Sequence, residues 1–70
     1  MRYAIVVEKA GNNYSAYAPD LPGCVATGSS VKDAEKEMQA AIQFHIDGLR
    51  EDGLPIPAPN SVVEYLEIAA

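Results

Sequence analysis

An α+β fold of order strand–strand–strand–helix–strand is what this sequence predicts, and three observations carry it. Alternating apolar positions at 2–8 and 14–18 flank a Gly-Asn-Asn turn, the pattern of a hairpin. Apolar residues at three- and four-residue spacing run from Val31 to Leu49, the pattern of an amphipathic helix. A further short apolar run, Ser61 to Ile68, follows a connector carrying Pro55, Pro57 and Pro59. The expected architecture is a single domain, residues 1–70, with a four-stranded mixed sheet and one helix on one face.

The first strand is expected over Arg2–Glu8, with Tyr3, Ile5 and Val7 on one face and Arg2, Ala4, Val6 and Glu8 on the other. Ala10-Gly11-Asn12-Asn13 turns the chain, because Gly and Asn tolerate positive φ. Tyr14–Ala18 returns, and Pro19 ends its pairing for lack of an N–H. The segment from Asp20 to Asp33 then compresses a turn, a strand and a helix start. Pro22-Gly23 suits the centre of a type II turn, since proline presets the first φ and glycine supplies the positive second. Cys24–Gly28 reads as the third strand. Ser30 and Asp33 form a capping pair, with Asp33 in the place usually held by Glu or Gln.

The helix is expected over Val31–Asp52. Val31, Ala34, Met38, Ala41, Ile42, His45 and Leu49 line its apolar side, and Lys32, Lys36, Gln39, Gln43, Asp47 and Arg50 lie opposite. Gly53 suits the left-handed position after the last turn. The three prolines hold an extended connector, and Ser61–Ile68 is the last strand. A meander places the third strand parallel to the first, and a right-handed helical crossover brings in the fourth parallel to both. Placing that strand beside the first gives sheet order 3-2-1-4.

Seventy residues with net charge −5 set the limits on function. A chain this short buries only about 60% of its unfolded surface, so a monomer is marginal. One cysteine and one histidine supply neither a disulfide nor a zinc site. Self-association is the remaining common source of stability. Arg2, Lys9, Lys32, Lys36 and Arg50 are scattered, which disfavours nucleic acid and favours a basic protein partner. No run approaches the roughly 20 apolar residues of a membrane span. No signal sequence is visible, and an unpartnered cysteine suits a reducing, cytoplasmic setting.

Candidate functional residues are few. Asp20 reads first as a cap on the Pro-Gly turn through backbone amides, and second as a loop contact with a partner. Asp20 could also be a functional carboxylate, but Asp20 and Glu8 alone cannot hold two metals, which disfavours two-metal hydrolysis. His45 is expected as a buried histidine with one hydrogen-bond partner, its role open. Cys24 is expected as a small buried hydrophobe. Tyr3, Tyr14, Tyr17 and Tyr65 lack the basic neighbours that base stacking needs. No catalytic set, cofactor motif or metal cluster emerges, so no enzyme is expected. One helix covers one sheet face only, and Val6, Tyr17, Val25, Val63 and Tyr65 are candidates for the uncovered face, and so for an interface, or for the helix-facing side under a shifted register; Phe44 joins them off the helix stripe.

The Asp20-Leu21-Pro22-Gly23-Cys24 turn behind a hairpin, the Ser-capped acidic helix and the Gly53-x-Pro55-x-Pro57 exit occur in one fixed order. Over roughly residues 1–68 this resembles the HicB-type antitoxins of bacterial and archaeal toxin–antitoxin modules. The resemblance implies a partial ribonuclease-H-like sheet without catalysis. It implies dimers or tetramers that bind a small basic mRNA-cleaving HicA-type ribonuclease toxin and mask its catalytic histidine. Many members continue into a DNA-binding segment. This sequence stops at Ala70, so a domain without C-terminal DNA-binding portion and without autonomous operator binding is expected. The alternative is an orphan oligomeric interaction module with neither toxin nor activity.

Overall fold

The computed structural model describes residues 1–70. Three strands, β1 (Val6–Ala10), β2 (Asn13–Tyr17) and β3 (Val25–Gly28), precede one helix, α1 (Val31–Glu51). The sheet is antiparallel throughout, in order β1-β2-β3.

The α+β class therefore holds, while the four-stranded mixed sheet of order 3-2-1-4, the partial ribonuclease-H-like arrangement, is corrected. Residues 61–68 form no strand and remain exposed. The cause lies in how the connector is held. Tyr3 donates its hydroxyl to the Pro57 carbonyl. Asp20 accepts from both the Ser61 amide and the Ser61 hydroxyl, at 2.9 Å each. Both anchors sit at the sheet end where β1 begins and β2 finishes. Beyond Ser61 the chain is an arm, and the molecule measures 48 Å in its longest dimension, against roughly 32 Å for a helix of this length.

The first strand also starts later than expected. Val6 pairs with Tyr17, and after Tyr17 the chain turns at once, with Leu21 N–H bonded to Ala18 C=O. Residues before Val6 have no β2 neighbour to pair with. Gly11 takes φ 63° while Asn12 stays at negative φ, which is the type II′ pattern that suits strand twist. The Pro22-Gly23 turn forms as expected: Gly23 has φ 82°, and Cys24 N–H bonds Leu21 C=O at 3.1 Å.

Both helix ends are closed. Ser30 Oγ accepts from the Asp33 N–H at 3.0 Å, and the Asp33 carboxylate accepts from the neighbouring Ser29 hydroxyl. At the far end Gly53, at φ 68°, donates to Arg50 C=O, and Leu54 donates to Leu49 C=O. These two bonds make a Schellman motif.

The core lies between the helix and the β2–β3 half of the sheet. Ala16, Ala18, Leu21, Cys24, Ala34 and Met38 are buried together. The small Ala16, Ala18, Cys24 and Ala34 among them let the helix approach the sheet closely. Gly28 marks the tightest point, since a Cβ there would lie 2.7 Å from the Asp33 carbonyl carbon and 2.8 Å from Ala34 Cα. Ile46, outside the expected stripe, is buried, whereas Val31 at its start is exposed.

Candidate protein-interaction site

Strand alternation sorts the sheet into two faces. Val7, Ala16 and Ala26 are cross-strand neighbours on the face toward the helix. Val6, Tyr17 and Val25 are cross-strand neighbours on the other face, where no element covers them. Val25 is 66% exposed and Tyr17 41%. The row sits at the sheet end from which the arm departs. The next row outward, Glu8, Ser15 and Thr27, is polar. The Val6–Tyr17–Val25 row is therefore an apolar strip at one end of an otherwise polar face.

The remaining residues singled out from the sequence fall elsewhere. Val63 and Tyr65 lie on the exposed arm, not on the sheet. Phe44 projects from the helix with 82% of its surface exposed. Asp20 anchors Ser61 and leaves the Pro-Gly turn to close itself, so its expected capping role is corrected. Leu21, in the same turn, is fully buried at the centre of the core, and Pro22 and Gly23 are exposed at its tip. His45 is half-buried rather than buried. Cys24 is buried and free, and burial pushes its thiol above the usual range. That makes it a poor nucleophile at neutral pH. No group of three or more His, Cys, Asp or Glu side chains converges to hold a metal.

Two features escaped sequence reasoning. The helix packs chiefly on β3, then β2, and barely on β1. An open groove of about 450 Å³ is left between the helix and residues 1–5. The arm is the other, carrying Val62, Val63, Tyr65, Leu66 and Ile68 exposed. Its alternation was visible, but alternation does not say whether the partner strand lies within the same chain.

Residues 3–69 match the model of a family described as HicB_like antitoxin of bacterial toxin-antitoxin system. The chain belongs to this antitoxin family. A UPF0150 protein of Helicobacter pylori is 38% identical over 65 residues, covering 91% of this chain and 90% of that one. An uncharacterized 14.9 kDa protein of Haemophilus phage HP1 is 36% identical over 66 residues. The HicB-like chain spans 50% of that phage protein's length, while 94% of its own length is matched. Among solved structures, a chain of the HicA3 and HicB3 toxin-antitoxin complex superposes with a TM-score of 0.74 at 32% identity. The match covers 86% of this HicB-like chain and 70% of the other. No helix is long and apolar enough to cross a membrane.

Proposed function

We propose that this HicB-like domain binds a small basic HicA-type ribonuclease toxin and neutralises it by direct protein–protein contact, without chemistry of its own. The observation that carries the reading is the fold match, at 32% identity, to a chain of a toxin–antitoxin complex. Net charge −5 on seventy residues supports it, because an acidic surface speeds encounter with a cationic partner. The uncovered Val6–Tyr17–Val25 row, with Phe44 apart from it on the helix, supplies apolar surface that such contact would bury.

Co-expression of the domain with a small basic HicA-type toxin from its own genome tests the proposal. Restored growth, together with co-purification of the two proteins, is the expected result. Continued toxicity with a folded but unbound domain would overturn it and leave the orphan interaction module as the reading.

A further inference from the structure

We infer that the groove between α1 and residues 1–5 receives the C-terminal arm, residues 62–68, of a second copy of this chain, so that two copies exchange arms.

The groove has an apolar floor of Tyr3, Ile5, Met38, Ile42 and Ile46 and a polar rim of Glu35, Gln39, Gln43 and Arg50. Its helical wall from Met38 to Arg50 runs roughly 18 Å. The arm from Val62 to Ile68, if extended, spans roughly 20 Å. Val62, Leu66 and Ile68 fall on one side of such an arm, with Glu64 among them. The apolar side fits the floor, and Glu64 finds a cation only at the Arg50 end of the rim, 15 helix positions from Glu35.

The chain's own arm does not occupy the groove. Tyr3 holds the connector at Pro57 and Asp20 holds it at Ser61. Every residue from Ala58 to Ala70 is exposed, with Leu66 at 85%. Each copy thus has an open groove with an apolar floor and an uncovered apolar arm of matching length. A two-fold exchange satisfies both at once and closes without leaving a free arm. The inference goes beyond the toxin reading and does not depend on it.

Light scattering on the full chain at micromolar concentration reads the mass. A dimer is expected, and a monomer would overturn the inference. Leu66→Asp combined with Ile68→Asp alters only exposed positions and should give a folded monomer by circular dichroism. A persistent dimer would count against arm exchange. Chains carrying Leu66→Cys and chains carrying Gln43→Cys, both with Cys24→Ser, are then mixed and oxidised. A mixed disulfide dimer is expected, well above that from a Glu37→Cys control on another side of the helix. Equal yields would overturn the proposal. A chain holding both cysteines that links only within itself would place its own arm in the groove, and would overturn it too. No toxin enters these measurements, so their failure leaves the toxin reading standing.

Discussion

Asp20 and Ser61, separated by 41 positions, are joined by two hydrogen bonds of 2.9 Å to opposite oxygens of one carboxylate. The pairing ties the turn after β2 to the start of the arm. It is solvent-exposed, so its effect on global stability is modest. Asp20→Ala is expected to cost about 0.5–1.5 kcal/mol. The sharper readout is local. The Ser61 amide should exchange slowly in the native protein and lose that protection in Asp20→Ala. Equal protection in both would show that the connector is held by Tyr3 and Pro57 alone.

Gly28 and Gly48 should respond to alanine in opposite directions. At Gly28 a methyl group runs into the backbone of Asp33 and Ala34, and backbone yields less readily than a side chain. Gly28→Ala is expected to destabilise by at least about 1–3 kcal/mol. At Gly48, inside α1, a Cβ meets nothing within 4 Å. Gly48→Ala should stabilise by about 0.5–1 kcal/mol through helix propensity. Urea denaturation of both variants checks the pair. A neutral Gly28→Ala would mean that the helix start shifts to accommodate the methyl.

Leu21 and Phe44 separate fold from surface. Leu21 is 0% exposed, and Leu21→Ala should cost about 2–5 kcal/mol by leaving a cavity. Phe44→Ala touches little of the protein itself and should stay within about 0.5 kcal/mol. A loss of partner binding by Phe44→Ala at unchanged stability would then report contact rather than folding. A large stability loss in Phe44→Ala would show instead that the ring is covered in solution.

Local chemistry made most of this fold legible. The Pro22-Gly23 turn, the Ser30 cap, the Gly53 termination and the helix length all follow from short-range rules, and each appears where those residues place it. What the sequence did not reveal depends on distant partners. Asp20 is two residues from the Pro-Gly turn, yet its carboxylate serves Ser61. The last apolar run has strand alternation, but pairing needs an edge in reach, and the anchors at Pro57 and Ser61 direct it elsewhere. Ile46 falls outside the apolar stripe because the three- and four-residue spacing runs through His45, one position away on the helix. Val6, Tyr17 and Val25 are among the expected face candidates, but separating them from Val63 and Tyr65 and fixing the register Val6 opposite Tyr17 opposite Val25 need the strand ends.

Cys24 gives a pH prediction with a definite sign. Desolvation by burial raises its thiol above the reference value of 9.0 in the folded state. Below that value both states hold the proton, and stability is unaffected by this group. As pH rises past 9.0 the unfolded chain ionises while the folded one does not, so stability falls until the folded thiol also titrates. Comparison with Cys24→Ala removes the contribution of every other group. The stability of the native chain relative to Cys24→Ala should be constant near neutral pH and decline in the alkaline range. The same burial predicts that a disulfide reagent labels Cys24 slowly in buffer and rapidly in urea. Fast labelling of the folded protein, or a pH-independent difference between the two chains, would mean that the Leu21–Cys24 turn opens readily and that the thiol is reached through it.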